Sequence, residues 1–310
     1  MTINLKNFLG TNKRTTKMGD FQELKDIEGL HVSSVSANLY KNGRDDLSLF
    51  YFPEGSNYAV AYTQNSIVSE SITWNREHAK NNIKALVVNT KNANTFTGEQ
   101  GLNSLDEIAK TLSDSLKKFE KENKFEKTKM KEILFASTGV IGEKYPADKI
   151  KANIPNLISN LKINQNKLIW LKMASAIMTT DTKPKVAYSE IKLGDKIVRI
   201  AGVAKGSGMI APNLATMLSF IFTDADISSA VLNKHLNKVL ASTFNAITID
   251  SDTSTNDMVA IFSTKKIKSK KLNIISSKES LKFEKALRTV CLDLAKQIVV
   301  DGEGAKKFIT

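Results

Sequence analysis

The chain has 310 residues, 41% hydrophobic and 25% charged, with 45 Lys and Arg against 32 Asp and Glu and one cysteine. That length can bury a sizeable core, in one large domain or two closely joined ones. The lone Cys291 excludes an internal disulfide and fits a reducing compartment. The first residues, MTINLKNFLGTNKRTTK, lack the apolar core of a secretory signal, and no run of about 18 uncharged apolar residues occurs, so the expectation is a cytoplasmic protein with no membrane partner. The net charge of +13 is spread along the chain. Its densest run, Ser263 to Ser280, has neither interleaved aromatics nor a nucleic-acid motif, and reads as a solvated basic loop rather than a nucleic-acid contact.

In chain order, KALVVNT (Lys84 to Thr90) reads as a strand ending in the turn-rich KNANTFTGEQG. Leu105, Ile108, Leu112, Leu116 and Phe119 recur at spacings of three and four, which predicts one apolar helix face. EILFAST (Glu132 to Thr138) reads as a buried strand, Asn164 to Met178 as helical, and KIVRIAGVA (Lys196 to Ala204) as extended. MLSFIFT, from Met217, is apolar on both faces and predicts a strand covered on both sides. A helix follows with Val231, Leu232, Leu236, Val239 and Leu240. A longer one carries Leu281, Leu287, Val290, Leu294 and Ile298. No repeat or long linker interrupts the chain, and the elements suggest a layered α/β sandwich without fixing strand order.

Several common chemistries fail on spacing. His31, His78 and His235 lie far apart and pair with no motif, which argues against a metal site. Ser207 is preceded by Lys205-Gly206, so neither a Gly-x-Ser-x-Gly elbow nor a Gly-Lys-Ser phosphate loop is present. DSDTSTNDMVAI, from Asp250, begins like a calcium loop, but Thr255 stands for its glycine and Ile261 for its closing glutamate. A turn tied to its own backbone by Asp and Thr side chains is the simpler reading. Cys291 falls within an amphipathic helical pattern and reads as packing.

A threonine nucleophile survives this elimination. A threonine hydroxyl needs a base, and its own α-amine is one known solution. Thr216 gains such an amine if its hydroxyl attacks the carbonyl of Ala215 and the resulting ester is hydrolysed. Gly206 and Gly208 permit unusual backbone geometry ahead of it, and Pro212 stiffens the approach. Pattern alone leaves open a structural threonine at the start of an apolar strand.

The stretch GVAKGSGMIAPNLATMLSFIFTDA (Gly202 to Ala225) resembles the signature of the ornithine acetyltransferase family (glutamate N-acetyltransferase, ArgJ) of arginine biosynthesis. Five further blocks occur in the family's order: VVNTKNANTFTGEQG from Val87, ASTGVIGEKYP from Ala136, AIMTTDTKPK from Ala176, ITIDSDTSTNDMV from Ile247 and DGEGAKK from Asp301. The resemblance covers the chain from about residue 34 to its end. It implies an α/β fold, a layered sandwich of the self-processing, N-terminal-nucleophile-like type, divided into residues 1–215 before the cut and 216–310 after it. It implies acetyl transfer from N2-acetyl-L-ornithine to L-glutamate through Thr216, with acetyl-CoA as a donor in some members and no cofactor. Thr138 and Gly139 match the oxyanion-hole positions. Thr179, Lys205, Thr216 and Glu303 match substrate-contacting positions, with Thr180 an open alternative to Thr179. The implied partners are small-molecule substrates and the two fragments of the chain itself, assembled as a heterotetramer.

Two departures stand out. Within TQNSIVSESITWNREHA (Thr63 to Ala79), the family usually has a cysteine and small apolar residues where Ile67 to Ile72 stand. The family also continues beyond the position of Phe308 through an Asp-Pro-Asn-Trp-Gly-Arg block without counterpart here. From that, strands after Phe308 and part of the pocket are expected to be missing, in a fragment or a naturally shortened chain. A related self-processing aminopeptidase is the alternative enzyme, and an inactive truncated homologue or basic binding protein the non-enzymatic alternative.

Overall fold

The computed structural model describes residues 24–79, 82–210 and 217–306. Thr216, Ala215, the first residues and the chain beyond Lys306 lie outside them. The architecture turns on β2 (Leu47–Tyr62), a 16-residue strand whose pairing register breaks between Tyr51 and Ser56. Its first part pairs antiparallel with β1 (His31–Val35) and with β3 (Ile83–Asn89), which runs parallel to β4 (Ile133–Ser137). Its last part, from Asn57, pairs antiparallel with β8 (Met258–Ile267). Beyond β8 come β7 (Leu218–Ala225), β6 (Lys196–Lys205) and β5 (Lys185–Leu193), so the order is β4-β3-β2-β8-β7-β6-β5.

The sheet folds over itself at β2, and its two halves face each other. Phe50 stacks on Phe222 at 4.9 Å between ring centroids, and Phe52 on Phe262 at 5.0 Å. Such aromatic pairs contribute beyond the area they bury. Strand alternation then sorts the side chains. Leu218, Phe220 and Phe222 of β7 enter the inner core, whereas Ile221 and Ala225 face outward. Trp170 and Leu171 of α4 (Lys167–Ala176) also join the inner core.

Helices cover both outer faces. On one side α1 (Glu70–His78), α2 (Gly98–Asn123) and α3 (Ala147–Ser159) pack on Leu49, Tyr51, Val87 and Phe135. On the other, α5 (Ser229–Leu240) and α6 (Lys278–Val300) pack on Ile200, Ile221 and Ile261. The result is a helix–sheet–sheet–helix sandwich, the layered α/β class expected. All eight residues of β7 are buried, as double coverage requires.

Two details differ from the periodicity. Leu281 is 47% exposed, and Phe283 takes the buried place on α6. The helix placed at Asn164 starts at Lys167, because Asn166 caps it by accepting the amide of Ile169. Cys291 packs within α6, where burial pushes its thiol pKa up. Among the described residues no helix is long and apolar enough to cross a membrane. The strands β7 and β8, both after residue 216, lie between β2 and β6. The stretches on either side of that residue therefore interleave in one sheet.

Candidate functional site

Four strand ends share one end of the second half-sheet. The pairings Lys205 with Leu218, Leu218 with Met258 and Lys185 with Ala204 bring together the end of β6 and the starts of β7, β8 and β5. Met217, the residue after Thr216, donates its amide to Oδ1 of Asp257 at 2.7 Å. Asp257 in turn accepts the amide of Thr63, at the end of β2, on its carbonyl at 3.0 Å.

Lys205 is only 4% exposed and donates to Oγ1 of Thr179 at 3.2 Å. Burial draws its pKa below that of an ordinary lysine. Asp181, Asp257 and Glu303 oppose that shift, and Lys185 adds to it. Asp181 lies beneath this pair. It accepts the amides of Thr179 at 3.1 Å and Gly206 at 2.6 Å, and the ammonium of Lys185 at 2.7 Å. Burial works to raise the Asp181 carboxyl, but Lys185, Lys205 and the Gly206 amide outweigh it and hold the group below its usual range.

Glu303 reaches the same cluster from the turn after α6. Its amide donates to the carbonyl of Ser207 at 2.6 Å, and its carboxylate accepts the Ser207 hydroxyl at 3.4 Å. A Cβ on Gly208 would stand 3.0 Å from the carboxylate carbon, so glycine makes room for that side chain. Oγ1 of Thr180 meets Oγ of Ser207 at 2.9 Å. Thr179 and Thr180 thus both enter the cluster, one toward Lys205 and the other toward Glu303. Thr179, Lys205 and Glu303, far apart in sequence, converge here.

Thr138 and Gly139 form a separate arm. The amide of Thr138 donates to the Asn89 carbonyl at 3.1 Å, which commits that donor and leaves the hydroxyl as the other one Thr138 offers. Gly139 has φ +137°, and a Cβ there would run into the Lys91 carbonyl and the Asn92 amide nitrogen. The loop is held by Val140 N–H to Lys91 O at 3.0 Å and Ala93 N–H to Val140 O at 2.9 Å.

The two arms are joined by residues the sequence reading took only as a turn. Asn256 donates from Nδ2 to the carbonyls of Ser137 at 2.9 Å and Ala93 at 2.6 Å, while its neighbour Asp257 holds Met217. Asp250 likewise bonds its own turn, accepting the Asp252 amide at 3.3 Å, but also accepts the amide of Ile210 at 2.8 Å. The signal available was the density of Asp, Asn and Thr just before an apolar strand. Among the described residues no group of His, Cys, Asp or Glu is arranged to hold a metal ion. An open cavity of about 730 Å³ near the starts of α2 and α3, lined in part by Gln100, Tyr145 and Asp148, shares none of the site's side chains.

This arrangement offers a cation and a carboxylate beside the head of an apolar strand. A family model described as the ArgJ family matches residues 31–310. The arginine biosynthesis bifunctional protein ArgJ of Caulobacter vibrioides is 39% identical, over 93% of this chain and 69% of its own length. The ornithine acetyltransferase of Mycobacterium tuberculosis, solved in complex with ornithine, is 25% identical with a TM-score of 0.50, covering 62% of this chain and 93% of its own. The L-aminopeptidase D-Ala-esterase/amidase of Ochrobactrum anthropi, described as a variant of the Ntn hydrolase fold, has a TM-score of 0.51 over 91% of this chain and 87% of its own. At 10% identity that likeness concerns the fold alone.

Proposed function

We propose, because this chain belongs to the ArgJ family of arginine-biosynthesis acetyltransferases, that it cuts itself between Ala215 and Thr216 and then carries acetyl on Thr216. The Thr216 hydroxyl attacks the Ala215 carbonyl, the peptide nitrogen departs as an amine, and water hydrolyses the ester. The freed α-amine, with an ordinary pKa of about 7.7–8.0, then serves as base to the hydroxyl beside it.

In the transfer half, that hydroxyl attacks the acetyl carbonyl of N2-acetyl-L-ornithine. The Thr138 hydroxyl and the Gly139 amide donate to the oxyanion, and L-ornithine leaves as the C–N bond breaks. The amine of L-glutamate then attacks acetyl-Thr216 to give N-acetyl-L-glutamate, with acetyl-CoA as a second donor to the same residue and no cofactor. Each oxyanion donor is worth about 3 kcal/mol in such sites.

The observation that carries this reading is the convergence of Lys205 and Glu303 beside the strand head that follows Thr216. A buried ammonium suits the substrate carboxylate, and a carboxylate above Gly208 suits the amine of an ornithine side chain. The interleaving of β7 and β8 between β2 and β6 would keep two cut fragments together, and pairing of two such units gives the heterotetramer.

Incubation with N2-acetyl-L-ornithine tests the reaction class. Ornithine released only when glutamate is supplied supports transfer. Release at the same rate in buffer alone would make the chain a hydrolase of the aminopeptidase kind.

A further inference from the structure

Lys205 and Glu303 come from parts of the chain nearly a hundred residues apart, on opposite sides of Thr216. If one holds a substrate carboxylate and the other its side-chain amine, their separation decides which amino acids fit. The Glu303 amide ties that residue to the Ser207 carbonyl at 2.6 Å, and a second, continuous route fixes the turn behind it. Lys205 donates to Thr179 at 3.2 Å, and Asp181 holds the Thr179 amide at 3.1 Å and the Gly206 amide at 2.6 Å. Lys185 then bridges to the other side, donating to Asp181 at 2.7 Å and to Asp301 at 2.7 Å. Asp301 ends α6 and precedes Glu303 by two residues. It also accepts the amide of Thr182 at 2.9 Å, the Thr182 hydroxyl and the amide of Lys183 at 3.3 Å.

The three charged side chains are buried, with side-chain exposures of 0%, 0% and 3% for Lys185, Asp181 and Asp301. The third acceptor for the Lys185 ammonium is the Lys183 carbonyl at 3.1 Å, so all three of its donors are used. A buried ion triad adds little net stability over packed apolar side chains, and its best-attested use is to fix register. Here the register is that of the α6 end against the starts of β5 and the Thr179 turn.

We infer that Lys185, paired with Asp181 and Asp301, is a positioning residue that sets the spacing between Lys205 and Glu303, and so selects substrates by the distance between their charges. The inference rests on the acetyl-transfer reading of the site. Lys185 touches no substrate. It acts by tying the turn that carries Glu303 to the turn that carries Thr179.

The test measures kcat and KM for N2-acetyl-L-ornithine and for N2-acetyl-L-lysine, one methylene longer, in the full chain and two variants. Lys185→Met is the direct variant, but it leaves two buried carboxylates facing each other. Asp301→Asn is therefore the second, since it keeps the Lys185–Asp181 pair and an acceptor for Thr182. The expected result is a higher KM for acetylornithine, a kcat within about twofold, and a preference over acetyllysine that falls about tenfold, the low end of what one methylene is worth in a tight site. A lowered melting midpoint with the preference unchanged makes the triad structural only and overturns the inference. A wild-type chain that transfers no acetyl at all removes the acetyl-transfer reading, and this inference with it.

Discussion

The amide of Met217 points at the carboxylate of Asp257, 2.7 Å away, and Asp257 also bears on the charge of Lys205. The residue after the proposed nucleophile is thus anchored to the head of β8. Asp257→Ala removes that anchor. A hydrogen bond to a charged acceptor is worth about 1.5–3 kcal/mol, so scission and acetyl transfer should each slow on the order of 10- to 100-fold. Asp257→Asn keeps an acceptor and should recover most of the scission rate. Gel densitometry of freshly refolded chain follows both variants.

The oxyanion arm gives a second expectation. With the Thr138 amide committed to Asn89, its hydroxyl is the donor left for the proposed oxyanion contact. Thr138→Val should lower kcat by about 10²- to 10³-fold with little change in KM, and Thr138→Ser should restore it. Gly139→Ala forces a Cβ into Lys91 and Asn92 at a positive φ. It should abolish transfer while leaving the far-ultraviolet circular dichroism of the folded sandwich intact.

Burial favours the neutral form of Lys205, so its ammonium is lost at a lower pH than an ordinary lysine's. A carboxylate held by that cation binds less well as pH rises through the lowered pKa. The alkaline limb of kcat/KM for the donor should therefore fall below about pH 10.4, the free-lysine value. Lys205→Arg stays charged throughout and should move that limb upward.

Asp224 at the end of β7 is raised to about 6, chiefly by burial, although its carboxylate accepts the Arg199 amide at 2.8 Å. An acid whose folded pKa is raised keeps its proton in the fold where the unfolded chain has lost it. The stabilisation is fully present below about pH 3.9, the unfolded value, and is lost as pH rises through about 6. Asp224→Asn should therefore gain about 3 kcal/mol over wild type at pH 8, and the difference should vanish near pH 4. Urea melts at the two pH values measure it.

The outer helices were legible because one side of each is covered, and burial writes a period into sequence; β3 and β4 were legible as short apolar runs because they are buried along their whole length. The β7 run showed apolar residues on both faces because both faces are buried. β2 was not legible. Its centre, Pro53-Glu54-Gly55, interrupts any apolar run, and it is where the register breaks and the sheet folds over. The side chains at the site were legible only through their resemblance to a family. Lys205 and Glu303 carry no local pattern that announces a partner a hundred residues away. The triad behind them stayed invisible for the same reason, since Lys185 and Asp301 look like surface residues in any window of sequence.

The central claim is tested most directly by intact mass measurement of the purified chain, before and after brief exposure to N2-acetyl-L-ornithine without glutamate. The account predicts two polypeptides divided between Ala215 and Thr216, with one acetyl group added to the fragment that begins at Thr216 and neither event in Thr216→Ala. One uncut polypeptide, with no acetyl adduct after exposure to the donor, would contradict it.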